Sequence, residues 1–575
     1  MVWSFRLFTA VELRHLQRVA VSGLIIVLSL VDSAVAQRVI SVPLRTLASI
    51  PNYFTDDTGK AVYLTGSHTW NNLQDWGNQG SIQPLESVSK PMVAWLMSSF
   101  GFHQWSRSAH FFGPFVRLGE SPQGQTGFRN GLLDFTAYVN MLVTHGHNFT
   151  LLWRTELPRF CGMPTADNSP SDFTVSPHPW QRTGPGIASD GGKRFDLTKF
   201  DQSFFDRLRS RVQQLNASGI YVGVYLFTGE WLNAFRCSSD GYPFTGSNNV
   251  NGIDDGGGIG SITMTAPNAI TAIQDAYVDK TVDMLNDLPN VLWIVSEESP
   301  PSSVWWNNHL IAHVRSYEST KQLQHPIGYA VHSGDQRHFM RRLFDVLRRL
   351  LDADFRGSIA DSTIADSAIY NSNADWVAPS ARISPTTTCG SGVPPCKVNI
   401  NDSDHSYFGM WNDTVEQNRA YVWKNFLNGN QVLFMDPYEI YYPRESRNLC
   451  VLPVKGICSA PDPRWDNFRD NIGYARAYAN RVNLSAMAPR GKLFSNGYGL
   501  ANASTSNAEY LGYTSSGSPL KIDLSATPGM LSLEWFNPST GATVSGGTIA
   551  GGSSQTLTAP FFGDAVVYLR TAPDD

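Results

Sequence analysis

Charged residues are scarce in this chain of 575 amino acids, and it contains no long basic run. Only 16% of the residues are Asp, Glu, Lys or Arg, and the formal net charge is -5. A nucleic-acid-binding surface needs clustered positive charge, so this composition argues against nucleic acid as a partner. Phosphate-loop glycines, a His-Glu-x-x-His helix and a Gly-x-Ser-x-Gly elbow are also missing. We therefore expect no cofactor and no metal.

Long apolar runs are rare as well. The run at residues 21–31 follows Arg14 and Arg18 and precedes Ala34-Val-Ala36. It is too short to span a bilayer comfortably, and its flanks are typical of an export signal. We expect residues 1–36 to be a signal peptide, the mature protein to be secreted and extracellular, and no stable membrane insertion.

Cysteine is also scarce, with six in the chain. Their spacing shows no zinc-site pattern, and an even number in a secreted protein favours disulfides. Proximity in sequence favours two pairs, Cys389 with Cys396 and Cys450 with Cys458, which leaves Cys161 and Cys237 for a long-range bridge. Sequons compatible with glycosylation lie at Asn216, Asn401, Asn412, Asn483 and Asn502.

What the sequence does contain is enough apolar material for a large core, with 42% hydrophobic and 12% aromatic residues. Helical patterns cover about 135–143, 200–215, 270–288 and 415–427. Runs typical of buried strands lie at 61–65, 147–153, 220–227, 290–296, 325–330, 374–378, 397–401 and 431–435. Eight strands separated by helical segments predict an α/β fold, a (β/α)8 TIM barrel, over residues 37–485.

The pattern changes beyond about residue 490. Short apolar-polar alternations such as Leu531-Ser-Leu-Glu-Trp-Phe536 are separated by turn signals such as Asn537-Pro538. This pattern is typical of a small all-β sandwich, which we assign to residues 486–575. Two stretches, about 86–133 and 338–359, fit neither domain. They are predicted inserts, and either lids or unspliced sequence would explain them.

The apolar run at 290–296 stops at Glu297 and Glu298. One interpretation is that the strand simply ends in solvent and the two glutamates are hydrated. The alternative is catalytic, because the strand ends of a parallel barrel converge on one cavity. The seventh predicted strand leads into Asp402-Ser-Asp404. Hydrolysis of a glycosidic bond needs a proton donor and a second carboxylate. Glu298 is the candidate acid/base and Asp402 the candidate nucleophile or base, with Asp404 as the alternative second carboxylate.

Other polar and aromatic side chains follow the predicted strands and are candidates for binding hydroxyls or stacking on a sugar ring. For each of them, ordinary packing in a loop is an equally good explanation. They are His68, Trp70, Glu230, Trp231, Glu297 and His405.

Several motifs together resemble a known family. They are Tyr63-Leu-Thr-Gly-Ser-His-Thr-Trp-Asn71, His145-Gly-His-Asn-Phe149, Leu152-Trp-Arg154, Phe195-Asp-Leu-Thr-Lys-Phe200, Val291-Leu-Trp-Ile-Val-Ser-Glu-Glu298, Asp402-Ser-Asp-His405, Glu534-Trp-Phe-Asn-Pro-Ser-Thr-Gly541 and Ala559-Pro-Phe-Phe-Gly563. The chain resembles secreted microbial barrel proteins of the apiosidase-like glycoside hydrolase type, whose C-terminal sandwich carries a collagen-binding label. Apart from the two inserts, the resemblance covers nearly everything after the signal.

The resemblance implies roles for particular residues. Strand four of the related retaining glycosidases usually ends in Asn-Glu, so Glu298 takes the acid/base role and Glu297 stands at the Asn position. Arg154 resembles the arginine that keeps the nucleophile ionised. The usual nucleophile is Glu, and the shorter Asp402 implies a wider gap between the carboxylates, which favours inversion over retention.

The sequence therefore predicts a secreted hydrolase that cleaves O-glycosidic bonds of plant or microbial polysaccharides or oligosaccharides. The alternative is a non-catalytic secreted adhesin that binds collagen or glycan. The two hypotheses differ in whether Glu298 and Asp402 face one cavity.

Overall fold

A closed ring of eight parallel strands forms the centre of the fold. The computed structural model describes residues 39–78, 133–160, 173–234, 236–330, 363–384, 397–403, 405, 414–436, 438, 463–515 and 517–572. The barrel strands are β1 (Thr65–His68), β2 (Phe149–Leu152), β3 (Tyr221–Thr228), β4 (Val291–Glu297), β5 (Ile327–Ala330), β6 (Trp376–Ala378), β7 (Val398–Asp402) and β8 (Gln431–Met435). Each strand pairs in parallel with the next, and β8 pairs with β1 to close the ring. The predicted TIM barrel is confirmed.

An apolar cluster fills the interior of the ring. Its members come from strands all around the barrel and include Leu151, Ile294 and Leu433. Gly223 of β3 leaves room for this packing, because a Cβ there would lie 2.4 Å from the Leu151 side chain. The barrel is thus a packed core, and chemistry is confined to its ends.

Helices follow the strands around the ring. They are α1 (Phe135–Thr144), α2 (Gln202–Ala217), α3 (Ala269–Leu285), α4 (Val304–Glu318), α5 (Thr363–Asn371), α6 (Val415–Leu427) and α7 (Pro463–Arg481), with a six-residue helix, Gly229–Ala234, directly after β3. Asn268 with Thr271 forms a capping box at α3, and Thr414 with Gln417 forms one at α6. Each such cap stabilises its helix by about 1 kcal/mol.

The first barrel strand lies three or four residues later than predicted. Ala61–Val62 pairs with Phe54–Thr55 in a small sheet, and β1 begins at Thr65. Gly66 explains the shift, because a Cβ there would lie 1.9 Å from the carbonyl oxygen of Phe149 on β2. Glycine allows this close approach of the two strands, yet its low strand propensity hides β1 from an apolar pattern. The other seven predicted strands overlap β2 to β8.

Long loops follow β1 and β2 and carry their own antiparallel sheets. Asp75–Asn78, Arg159–Phe160 and Phe173–Ser176 form one, and Trp180–Ile187 pairs with Lys193–Phe200 in the other. Because each loop leaves the carboxyl end of a barrel strand, these sheets belong to the end of the barrel where TIM-barrel active sites lie.

Antiparallel strands occupy the chain beyond α7. They are β9 (Ala488–Pro489), β10 (Gly499–Asn502), β11 (Glu509–Thr514), β12 (Leu520–Asp523), β13 (Met530–Asn537), β14 (Ala542–Ala550), β15 (Ser554–Leu557) and β16 (Ala565–Thr571). Six form one sheet in the order β9-β10-β11-β16-β13-β14, and β12 pairs with β15. The all-β character predicted for this region is confirmed, and the domain division at 485/486 stays a prediction.

The C-terminal sheets are fixed to the barrel helices by a buried ion pair and by aromatic packing. Arg419 of α6 donates from Nε and Nη2 to the carboxylate of Asp564, each at 2.8 Å. Trp423 of α6 packs on Phe536 of β13, with ring centroids 5.8 Å apart. Both parts belong to one compact unit, Ile40–Asp575. These are the contacts of a continuous core.

Several predicted features lie outside the described residues. They are the signal peptide 1–36, the insert at 338–359, all but Leu133 of the insert at 86–133, and the cysteines other than Cys237, so the three disulfide pairings stay predictions. Asn401 is buried in β7 with 1% of its surface exposed, which leaves no room for the glycan that its sequon suggested. Among the described residues, no helix combines the length and the apolar character needed to cross a bilayer.

Candidate active site

Strand β4 ends in two glutamates at the carboxyl mouth of the barrel. Glu297 is fully buried and Glu298 is half-buried. Successive side chains of an extended strand point to opposite faces, but Glu298 has a backbone φ of 37°. This left-handed conformation is unfavourable for a non-glycine residue. This conformation lets the side chains of both glutamates reach His405. A carboxylate oxygen of each glutamate and a ring nitrogen of His405 lie within 4.8 Å of one another.

Two donors hold Glu297. The Tyr225 hydroxyl of β3 donates to its Oε2, and Nε2 of His405 lies 2.6 Å from its Oε1. The other ring nitrogen of His405, Nδ1, donates to the carbonyl oxygen of Pro379 at 3.0 Å. Burial lowers the pKa of His405, but the charge of Glu297 and the hydrogen bond to it outweigh this effect and raise the pKa well above its usual value. Because each ring nitrogen of His405 faces an acceptor, the site favours the imidazolium form of His405 beside Glu297.

Asp402 is the last residue of β7 and is buried. Its Oδ1 lies 2.9 Å from Nε2 of His68 at the end of β1. Nδ1 of His68 accepts a hydrogen bond from Nε1 of Trp153 at 2.6 Å. The Trp153 ring also contacts Tyr225, with centroids 4.8 Å apart, so the groups that hold Asp402 and Glu297 touch. Asp404 lies outside the described residues, and the choice between the two aspartates stays open.

Glu230 reaches the same mouth from the short helix after β3. A Cβ on Gly229 would lie 2.5 Å from Cα of Ser299, so the loops after β3 and β4 are in backbone contact. Burial, together with the charges of Glu298 and Glu297, raises the pKa of Glu230 well above its usual value. This crowding of carboxyl groups therefore favours the protonated form of Glu230.

Arg154 lies behind the strands. Its Nη1 donates to the carbonyl oxygen of Leu226 at 2.7 Å, and its guanidinium carbon lies 4.3 Å from the ring centroid of Tyr277 on α3. Trp153, one residue earlier, takes the inward position because neighbouring residues of a strand face opposite sides. The structure therefore does not bring Arg154 to the other candidates.

Trp70 and Trp231 pack against each other edge to face, with ring centroids 5.9 Å apart and planes at 85°. Trp231 has 2% of its surface exposed, whereas Trp70 is half-buried. Because a sugar needs an open ring face to stack on, Trp70 is the better candidate for a binding platform. Trp231 supports it from behind.

Among the described residues, Glu297, Glu298 and His405 could hold a metal ion. Two ligand atoms that share one metal at about 2.0–2.1 Å stand about 3 Å or more apart. Glu297 Oε1 and His405 Nε2 are 2.6 Å apart, which is a hydrogen-bond separation with a proton between the two atoms. A metal would have to drive these groups apart. The expectation of no metal and no cofactor stays a prediction.

Sequence reasoning did not identify Tyr225 and Trp153 as site residues. Both belong to apolar runs, so each has the pattern of a core residue. Their spacing along the strands could have identified them, because residues an even number of positions apart face the same side of a strand. Trp153 lies two positions after Leu151 and Tyr225 four positions after Tyr221, and all four belong to the interior cluster. Inward residues near the carboxyl end of a barrel strand are those that reach the mouth.

A closed parallel barrel followed by antiparallel sheets, with acidic side chains at its carboxyl mouth, is an architecture found among glycoside hydrolases. A solved structure described as "Glycoside hydrolase" aligns with a TM-score of 0.51 and 11% identity over 93% of this chain and 98% of its own. A family 5 glycoside hydrolase from Bacteroides vulgatus ATCC 8482 aligns with a TM-score of 0.48 and 12% identity over 93% and 94%. No protein-family model and no curated protein matches the sequence. The alignment with the first of these structures shows a common fold.

Proposed function

We propose that the protein is a secreted glycoside hydrolase that cleaves O-glycosidic bonds with two carboxyl groups. The observation that carries this proposal is the position of Glu298 directly after β4 and of Asp402 at the end of β7, at one end of a closed parallel barrel. Both carboxylates also act on one cation, since the charge of each raises the pKa of His405. A pair of carboxyl groups around one cavity is what glycosidic hydrolysis requires.

Glu298 is the acid in this proposal. It is half-buried and so remains accessible to a leaving-group oxygen. Its neighbours Glu230 and Glu297 disfavour its ionised form by charge repulsion. The pKa of Glu230 is raised by burial and then by the charges of Glu298 and Glu297, and this coupling supports a proton held by one of the neighbouring glutamates.

Asp402 is the nucleophile or the base, and Asp404 is the alternative. The hydrogen bond from His68 to Asp402 favours the carboxylate form. Direct attack on the anomeric carbon requires carboxyl groups about 5–5.5 Å apart, whereas about 6.5–9.5 Å leaves room for a water. The short side chain of Asp402 supports the wider gap, and therefore inversion.

The proposed substrates are plant or microbial polysaccharides or oligosaccharides, with apiosidase-like specificity. The motif Asp402-Ser-Asp-His405 supports this assignment, since Asp402 and His405 belong to the hydrogen-bonded mouth. The apolar segment at 21–31 with its flanking residues supports secretion.

The test is sugar release from a panel of plant and microbial polysaccharides by the purified full chain, with Glu298→Gln and Asp402→Asn assayed beside it. Glu416→Gln is the matched control, because Glu416 lies exposed on α6. We expect each mouth variant to lose at least about 10²-fold in kcat/KM, which corresponds to about 3 kcal/mol of transition-state stabilisation. The control variant should match the wild type.

Two other outcomes would change the assignment. Activity that survives in Asp402→Asn alone would make Asp404 the second carboxylate. If the folded wild type releases sugar from no substrate, and all four proteins bind collagen or a glycan, the adhesin replaces the hydrolase.

A further inference from the structure

Three buried groups form a hydrogen-bonded line that ends at Asp402. Trp153 follows β2, His68 ends β1 and Asp402 ends β7, so three separate strands supply them. Trp153 has 1% of its surface exposed and His68 has none. Water therefore cannot replace either partner of His68 without a rearrangement of the barrel mouth.

The chemistry of the indole ring fixes the direction of every bond in this line. An indole Nε1–H is a donor only, and it lies 2.6 Å from Nδ1 of His68. Nδ1 must then carry a lone pair, which leaves the ring proton on Nε2. Nε2–H lies 2.9 Å from Oδ1 of Asp402, where a carboxylate oxygen accepts it.

We propose that Trp153 is a positioning residue that locks His68 in its neutral Nε2–H tautomer. His68 can then serve Asp402 only as a donor, because its one free lone pair is occupied by the indole proton. It can neither take a proton from Asp402 nor become an imidazolium without breaking the bond to Trp153. The proposal rests on the proposed function only in treating Asp402 as a catalytic carboxylate.

The surroundings of His68 make this lock necessary. Asp402 is an anion in direct contact, and an anion favours the protonated form of a histidine. Asp436 is a second nearby acidic residue, and its backbone amide donates to the carbonyl oxygen of His68 at 2.8 Å. Its carboxylate is paired with Arg469 at 2.6 Å. Tyr225 packs on the far side of Trp153. Among these neighbours, Asp402 is the charged group that contacts the His68 ring, and its negative charge favours a second proton on His68 once the indole donor is removed.

A cationic His68 would impair Asp402. A full positive charge 2.9 Å from Oδ1 holds a carboxylate more tightly than a neutral donor does, and it weakens the carboxylate as a base or nucleophile. The neutral lock leaves Asp402 ionised and oriented across the pH range in which an ordinary histidine titrates.

The test compares pH profiles of kcat/KM for the wild type, Trp153→Phe and the double variant Trp153→Phe/His68→Gln. Phenylalanine keeps the aromatic packing and removes the donor, whereas glutamine at position 68 can donate to Asp402 but does not titrate. We expect Trp153→Phe to gain an acid limb, in which kcat/KM falls by up to about tenfold per pH unit as His68 takes up a second proton. The wild type and the double variant should lack this limb. A purely structural role of Trp153 would lower activity at every pH alike, and that result would overturn the proposal.

A second readout does not depend on catalysis. Selective ¹⁵N labelling of histidine, with His68→Gln to assign the signal, should show a pyridine-type Nδ1 and a pyrrole-type Nε2 in the wild type, unchanged from about pH 5 to about pH 8. A wild-type His68 that carries its proton on Nδ1, or that titrates in this range, would overturn the proposal. If the protein released no sugar but showed the locked tautomer, the proposed function would fail while this inference stood.

Discussion

Arg419→Met should lower the free energy of unfolding by about 3–5 kcal/mol, the usual cost of removing one partner from a buried ion pair. Arg419 on α6 has 4% of its surface exposed and Asp564, just before β16, has 2%. Methionine approximates the length of the arginine stem but donates no hydrogen bond. The Asp564 carboxylate would then keep the Tyr513 hydroxyl, 3.1 Å away, as a neutral donor.

The magnitude follows from the contacts that the substitution removes. Nε and Nη2 of Arg419 each donate to Asp564 at 2.8 Å, and charge-assisted bonds of this kind contribute about 1.5–3 kcal/mol each. Packing of the methionine side chain offsets part of the loss. Replacing both partners by apolar residues should cost less than the single change, since no charge is left buried.

Guanidinium denaturation of the wild type, Arg419→Met, Asp564→Leu and the double variant measures this coupling. Tryptophan fluorescence and far-UV circular dichroism should give coincident transitions, because the pair joins the barrel and the C-terminal sheets into one core. A double variant whose loss equals the sum of the single losses, or a loss below about 1 kcal/mol for Arg419→Met, would refute the reasoning. The C-terminal sheets would then be a loosely attached module.

Three further predictions concern the mouth of the barrel. Glu298→Gly should be about 1 kcal/mol more stable than Glu298→Ala in thermal unfolding, because glycine adopts a φ of 37° without strain; equal melting would contradict this. Gly229→Ala should lower both sugar release and melting temperature, since its Cβ would lie 2.5 Å from Cα of Ser299, and wild-type values for both would show that the loops can separate. Burial lowers the pKa of His405 and Glu297 raises it by more, so the pKa in the folded protein lies above the unfolded value. The stability that the extra proton confers is therefore complete below the unfolded pKa, about pH 6.5, and is lost as pH rises through the folded pKa. In urea titrations, the stability difference between wild type and His405→Asn should shrink by about 1.4 kcal/mol per pH unit above about pH 6.5, and a constant difference would contradict the assignment.

Seven of the eight barrel strands could be predicted because each contains an apolar or an alternating apolar-polar run bounded by polar or turn residues. The exception, β1, has the sequence Thr-Gly-Ser-His, which no propensity scale would rank as a strand. Its place is determined by tertiary structure, since Gly66 allows the backbone to approach β2 to within contact distance.

The candidate site was predictable in part for the same reason. Glu297, Glu298 and Asp402 each stand at the end of a predicted strand, and His68 stands three residues beyond the run at 61–65, so the ends of predicted strands pointed to all four. Which residue of a neighbouring pair faces the cavity depends on the register of the strand. Arg154 and Trp153 are adjacent in sequence, and the structure alone shows that the indole faces the mouth and the guanidinium faces the helices.

The mouth of the barrel concentrates features that a chain selected only for stability would avoid. Glu298 is held at a strained φ of 37°, Glu230 is placed where burial and neighbouring charges raise its pKa, and Glu297 is buried with no surface exposed. Each of these costs free energy. Ordinary packing explains any one of them, but it does not explain why all three occur at the carboxyl end of β3 and β4, where a parallel barrel presents its reactive groups. Their coincidence favours chemistry over packing, because strain and charge crowding are tolerated where they bring reactive groups together.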